Sequence, residues 1–343
     1  MNLVSSATKV LLLLSALLLV LAWASISVGS LEIPITEILT ALFGDNDSMW
    51  SDIIWEFRLP KTLTCILAGM ALASSGLMMQ TLFRNPLAGP DVLGLSSGAS
   101  LLVAILILAG TWGTSFLTQI STSPWAIALA ASLGSGLVFA LVIAAAQKVK
   151  DNVSLLIIGL MIGATTSSIV MTLQFLSTAD DLQAFIIWTM GSVGGTGWGE
   201  IKVLALIIII GTGITLGSMK SLNALLLGEN YAQSLGIKIQ RSRFLIVLST
   251  SLMSGAVTAF CGPIAFVGLA VPHLVRIILS TSNHKILLPA VMMSGASLIL
   301  LCDILSQLAG RTQSLPLNAI TSLIGAPVVI WVVIRSRNSK SGN

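Results

Sequence analysis

The sequence predicts an all-α integral membrane protein with ten transmembrane helices, and three observations carry that expectation. The 343 residues are 55% hydrophobic and only 9% charged, where a soluble domain carries roughly 25% charged residues. Mean hydropathy is +0.99. Runs of about 20 apolar residues recur along the whole chain, each long enough to cross a ~30 Å hydrocarbon core at 1.5 Å per residue. No polar stretch is long enough for a separate soluble domain, so residues 1–343 are expected to form a single transmembrane domain.

Apolar runs between polar breaks place the spans at 9–29, 58–82, 92–110, 124–146, 153–176, 201–218, 243–261, 264–281, 286–308 and 316–334. An even number leaves both termini on one side of the membrane. With the termini inside, Lys9, Arg84, Lys148, Lys150, Lys220, Lys238, Arg241, Arg243, Arg276, Lys285, Arg335, Arg337 and Lys340 are internal, and only Arg58, Lys61, Lys202 and Arg311 are external. That asymmetry makes the termini cytoplasmic. Trp23, Trp50, Trp55, Trp112, Trp125, Trp188 and Trp198 then fall at the outer boundary, where interfacial indoles belong. Lys9 followed by an apolar run and small residues around Ala22–Ser27 also has the outline of a signal peptide, but the run is longer than a usual signal core.

Two short surface helices are expected on the outer side. "PITEILTALFG" has Pro34 at a first helical position and Gly44 as terminator, while "STADDLQAF" offers Ser177 with Asp180 and Thr178 with Asp181 as capping pairs. Gly69, Gly76 and Pro86 recur at a fixed offset as Gly255, Gly262 and Pro272. This is a candidate inverted repeat of helices 2–5 and 7–10, a common construction in transporters.

The stretch "RNPLAGPDVLGLSSGAS" at 84–100 interrupts the apolar pattern with two prolines, three glycines, an arginine and an aspartate. Such a break is either a turn outside the lipid or the lining of a pathway, because unpaired backbone is not tolerated against hydrocarbon. Pro86 and Pro90 end one helix, and Gly94 and Gly98 permit close packing of the next.

Enzymatic motifs are absent: there is no GxxxxGK[ST] phosphate loop, HExxH zinc helix or nucleophile elbow. Cys65, Cys261 and Cys302 lie singly in apolar segments and read as small core residues. His273 and His284 have no metal-site spacing, and the second lies in a polar turn. Asp303 is the clear intramembrane acid. It reads either as part of an ion relay or, more simply, as an interhelical hydrogen bond to Ser or Thr or a protonated carboxyl.

The longest cytoplasmic loop reads "KSLNALLLGENYAQSLGIKIQRSR". Gly228, Glu229, Asn230, Tyr231, Ala232, Gln233, Ser234, Leu235 and Gly236 make a helix of about two turns bounded by glycines, with Leu226, Tyr231 and Leu235 available to pack. Such a helix either docks into a groove on a soluble partner or is a plain connector. On the other side Arg58, Lys61 and Arg311 stand among many acids and either pair with carboxylates of an incoming partner or snorkel to the interface.

Taken together, "RLPKTLTCILAGMALASSGLMMQTLFRNPLAGPDVLGLSSGAS", "LNALLLGENYAQSLG", "GPIAFVGLAVPHLVR" and "LPLNAITSLIGAPVVIW" resemble the FecCD permease family over essentially the entire chain. Members are membrane subunits of ATP-driven importers for ferric siderophores, haem and cobalamin. The resemblance implies ten helices per subunit in a bacterial inner membrane and a homodimer with its pathway on the two-fold axis. It further implies two cytoplasmic ATPase subunits, a periplasmic binding protein, and no cofactor on this chain, ATP and magnesium belonging to the ATPase.

By that likeness residues 228–236 are the coupling helix, Arg58, Lys61 and Arg311 hold glutamates of the binding protein, and Asn85, Leu87, Asn152 and Val153 close the cytoplasmic gate. Lys61 stands where the family commonly has arginine, which weakens bidentate pairing. The favoured cargo is a ferric siderophore, with cobalamin and haem as alternatives. Haem is disfavoured because Val153–Ser192 contains no Lys or Arg to meet propionates. An ion-coupled secondary carrier would require more buried charge than Asp303 provides.

Overall fold

The computed structural model describes residues 2–29, 31–44, 49–108, 123–149, 152–309 and 315–340, which contain helices and no strands. The helices are α1 (Asn2–Ser27), α2 (Ile35–Phe43), α3 (Met49–Ile53), α4 (Leu59–Leu82), α5 (Leu95–Leu108), α6 (Pro124–Lys148), α7 (Asn152–Leu176) and α8 (Ala179–Thr189). They continue as α9 (Trp198–Gly217), α10 (Met219–Leu225), α11 (Glu229–Ser234), α12 (Ile239–Cys261), α13 (Val267–Leu279), α14 (His284–Ala309) and α15 (Leu317–Lys340). A π turn at Ile54–Arg58 and a 3-10 turn at Pro90–Leu93 complete the elements.

Each expected span contains a helix among the described residues. Seven helices among the described residues are long and apolar enough to cross a membrane, and α5, α13 and the apolar part of α15 are shorter. Two of them start later than the hydropathy suggests: Gly94 turns left-handed at φ 74° before α5, and Phe266 at φ 68° before α13.

Both expected surface helices form, as α2 and α8. α8 starts as the sequence signals: Thr178 Oγ1 accepts the Asp181 N–H at 3.4 Å and donates to Asp181 Oδ2 at 2.8 Å. Ser177 does not cap, its hydroxyl donating back to Gln174 O instead.

The chain divides into two compact units. The first comprises Met1–Ser74, Ser192–Ala205 and Ile264–Asn343. Within it α1 packs along α14, and α13, α14 and α15 pack on one another. Ile26, Ile33, Ile38, Ala41 and Ile54 form a small core beneath α2. The Trp55 indole donates to Ala41 O and the Trp198 indole to Trp55 O, both at 2.9 Å. Asn318 Oδ1, at the start of α15, accepts the Ala265 N–H.

Gly69 of α4 and Gly295 of α14 meet so closely that a Cβ on either would collide with the other's backbone oxygen, as small residues permit where lipid supplies no hydrophobic drive. Gly295→Val is therefore expected to cost about 2 kcal/mol or more by overpacking, read as a lower thermal midpoint in detergent. Wild-type stability would mean that these backbones do not meet.

The second unit comprises Ser75–Gly191 and Leu206–Pro263. Here α5 packs against α6, α7 and α8, and α12 against α6. Gly98 and Gly134 make another close crossing. Val103, Ile107, Leu108, Phe185 and Ala259 lie in the core that anchors α8. α9 is tied to α12 by Thr215 and Ser249, whose hydroxyls lie 2.8 Å apart, with Ser249 also donating to Gly211 O at 2.6 Å.

Gly76 and Gly262 do not share a local role: the first is inside α4, whereas the second ends α12 at φ 72°. Pro86 lies in a turn and Pro272 inside α13. Two of the three matched pairs thus differ in backbone geometry, whereas Gly69 and Gly255 both lie inside helices. Among the described residues helix lengths run in parallel: α4 to α7 have 24, 14, 25 and 25 residues, and α12 to α15 have 23, 13, 26 and 24.

His284, placed by sequence in an open polar turn, is buried at the start of α14. Cys65, Cys261 and Cys302 are all buried, and none of them is in a disulfide among the described residues.

Candidate functional site

Three groups of residues singled out from sequence take shape in the structure, two in the second unit and one in the first. At the start of α4 the π turn delivers Arg58 inward, leaving it only 5% exposed. Its guanidinium donates to Ile26 O at 2.8 Å, to Ser27 O at 2.9 Å and to Leu31 O. These carbonyls close the C-terminal end of α1 and the turn beyond it, where a helix leaves acceptors without internal donors and favours a cation. Gly29 makes room: a Cβ there would stand 2.8 Å from Arg58 Nη2. Arg58 is thus spent on α1.

Lys61, one turn further, is also engaged within the chain. Its Nζ lies 3.1 Å from Asp303 Oδ2, with both side chains largely buried. Gln307 Nε2 donates to the same oxygen at 2.7 Å. The hydroxyl partner expected for Asp303 is present as Ser25, and Lys61 and Gln307 join it on the same carboxyl group. A carboxylate carrying both a cation and an amide donor has the partners that a buried charge requires. Nearby, Ser25 and Thr62 hydroxyls lie 3.0 Å apart and bind α1 to α4. Arg311 lies outside the described residues.

The break at 84–94 is a built turn. Arg84 adopts φ 48°, the Leu87 N–H donates to Asn85 Oδ1 at 2.9 Å, and the Ala88 N–H donates to Asn85 O at 3.1 Å. This Asx-type closure pins Asn85 and leaves Leu87 exposed. Pro90 then opens the 3-10 turn and Gly94 ends it. That turn packs against α7, and Gly94 is required there because a Cβ would approach Gly159 O to 3.1 Å. Asn152 is the first residue of α7, and Val153 beside it is exposed.

The glycine-bounded segment forms α11. Gly228 enters at φ 111° and Gly236 leaves at φ 79°. Ala232 is fully buried, while Leu227, Tyr231 and Leu235 are 64%, 49% and 58% exposed. Tyr231 and Leu235, four residues apart, open one side of α11, while Leu227 is exposed in the turn before Gly228, whose φ of 111° keeps it off the helix. Leu226, which the sequence offers for packing with them, is half-buried. Glu229 Oε1 receives Arg243 Nη2 at 2.8 Å, so α11 is fastened to α12 by a charge-assisted bond. Sequence reasoning missed both ion pairs because their members are distant in the chain.

A profile of the FecCD transport family matches residues 17–335. The chain belongs to the FecCD transport family. This FecCD chain is 37% identical to the vitamin B12 import system permease protein BtuC of Klebsiella pneumoniae subsp. pneumoniae, over 94% of its length and 93% of the relative's. It is 33% identical to the hemin transport system permease protein HmuU of Yersinia pestis, over 95% of each. Its fold superposes with a TM-score of 0.83, at 30% identity, on a solved structure described as an inward-facing conformation of a metal-chelate type ABC transporter, covering 96% of this chain and 99% of that one.

Proposed function

We propose that this chain is the membrane-spanning permease subunit of an ATP-driven importer that carries a ferric siderophore or similar bulky chelate from periplasm to cytoplasm. The family match across 17–335 carries the reading. Exposed Tyr231 and Leu235 on α11, with exposed Leu227 just before it, support it, because a short helix with open apolar side chains is what a groove on a soluble motor subunit accepts. Cobalamin is the second cargo reading, favoured by 37% identity to a vitamin B12 permease. An ion-coupled carrier is less well supported: Asp303, the acid such a relay would use, is already engaged by Lys61 and Gln307.

In the proposed assembly α5, α13 and α15 complete a set of ten spanning helices with the seven longer ones, the chain is a single permease domain, and both termini are cytoplasmic in a bacterial inner membrane. The parallel helix lengths of α4–α7 and α12–α15 support an inverted repeat. Two copies form the pathway, two ATPase subunits bearing ATP and magnesium receive residues 228–236, and Asn85, Leu87, Asn152 and Val153 form the inner gate.

A periplasmic binding protein docks at the Arg58 end of α4. Arg311 is the cation to test for this docking, since reversing buried Arg58 would strip α1 of its cap and confound the result. Arg311→Glu is expected to weaken binding-protein association about ten-fold, as loss of one paired interfacial charge does, while ATPase assembly stays intact. Unchanged affinity rules out that role.

The overall reading is tested in proteoliposomes holding permease, ATPase and binding protein, with a panel of ferric chelates, cobalamin and haem. ATP-dependent uptake of one of them is expected. Transport by the permease alone on an ion gradient would overturn the proposal.

A further inference from the structure

Two helices in the second unit close with the same hydrogen-bond pattern. At the end of α11 the Gly236 N–H donates to Gln233 O at 2.9 Å and the Ile237 N–H to Ala232 O at 3.0 Å. At the end of α4 the Arg84 N–H donates to Thr81 O at 3.3 Å and the Asn85 N–H to Gln80 O at 3.1 Å. This closure places its terminal residue in the left-handed region, which favours glycine because an L side chain crowds its own carbonyl. α11 uses Gly236 there, at φ 79°; α4 uses Arg84, at φ 48°. A strained residue persists when something else holds it, so the arginine side chain needs an explanation that the cap does not supply.

The position of the guanidinium supplies one. A Cβ built at Gly228 would stand 3.6 Å from Arg84 Nη1 and within 4 Å of no other atom beyond its chain neighbours. Arg84 thus reaches from the turn bearing Asn85 and Leu87 to the residue that admits the chain into α11. The next residue, Glu229, is held from another side by Arg243 of α12. The entrance of α11 therefore has an arginine of the inner turn beside it and is bonded to α12 through another.

We propose that Arg84 is the positioning residue that makes the 84–88 turn follow α11, so that displacement of α11 by the ATPase subunit is delivered to Asn85 and Leu87. The proposal rests on the coupling role of α11. Its mechanical basis is a broad guanidinium placed beside a residue without a side chain. A lysine ammonium is compact and hydrated and fits that contact less well.

The test uses the complete reconstituted complex and compares wild type, Arg84→Gly, Arg84→Lys and Ala232→Pro for ATPase retention, thermal midpoint and chelate taken up per ATP hydrolysed. Arg84→Gly suits the backbone, so it is expected to keep assembly and a midpoint at or above wild type while uptake per ATP falls about ten-fold, within the range of coupling mutations. Arg84→Lys is expected to retain an intermediate value. Wild-type uptake per ATP in Arg84→Gly overturns the proposal, and so does a lowered midpoint, which would make Arg84 a structural residue. Normal uptake in Ala232→Pro removes the coupling reading of α11 itself, whereas an inactive Ala232→Pro beside a normal Arg84→Gly removes only the role assigned to Arg84.

Discussion

Replacing Ala232 with proline is expected to abolish ATP-driven uptake and to strip the ATPase subunit from the permease. Ala232 is fully buried, and its N–H donates to Gly228 O at 2.9 Å. Proline removes that donor and forces its ring against the residue 228 carbonyl, a disruption worth about 3 kcal/mol within a helix. α11 has six residues, too few to survive on intrinsic propensity, so its form depends on a handful of such bonds and on the Glu229–Arg243 contact. Once it unwinds, Tyr231 and Leu235 no longer share a face and the apolar pair offered to a partner is lost. Co-purification of ATPase with permease and uptake in proteoliposomes measure the two effects. The transmembrane helices lie outside the altered segment, so membrane insertion of the variant is expected to match wild type and separates this result from gross misfolding.

How far such details are legible in a sequence depends on how far apart the interacting residues stand. Helix ends governed by neighbours were readable: Thr178 with Asp181 at α8, and Gly228 and Gly236 around α11, each combine a backbone preference with a partner a few residues away. Apolar windows located every long helix because lipid imposes the same composition on each. They overstated the short ones, since the left-handed residues Gly94 and Phe266 begin α5 and α13 late without changing local hydropathy.

Partners from distant segments stayed hidden. Nothing near Arg58 indicates that the carbonyls of Ile26, Ser27 and Leu31 await it, and a solvent-facing role was the natural reading for a cation at a helix mouth. The same holds for His284, whose polar neighbours Asn283 and Lys285 read as a turn although its side chain is buried. The pairing of Gly76 with Gly262 is legible as an offset but not as a shared geometry, because Gly76 lies within α4 whereas Gly262 takes a positive φ at the end of α12.

The buried pair between Lys61 and Asp303 gives the other large effect. Lys61→Met leaves the Asp303 carboxylate with Gln307 but without its cation, and removing one member of a buried pair costs about 3 kcal/mol or more. A clear fall in thermal midpoint is expected. Asp303→Leu alone is expected to cost less, because the lysine stem is flexible and can carry its ammonium toward water. The double variant Lys61→Met with Asp303→Leu discriminates between a charge effect and a packing effect. If the loss in Lys61→Met comes from a stranded carboxylate, removing that carboxylate restores the midpoint to wild type or above, since apolar replacement of a buried ion pair is often neutral or stabilising. If the double variant is as weak as Lys61→Met, the stem and not the charge was responsible, and Asp303 does not depend on Lys61. Restored stability with diminished binding-protein association would go further: it would mean that Lys61 serves the chain's own fold at rest and a partner's carboxylate on docking.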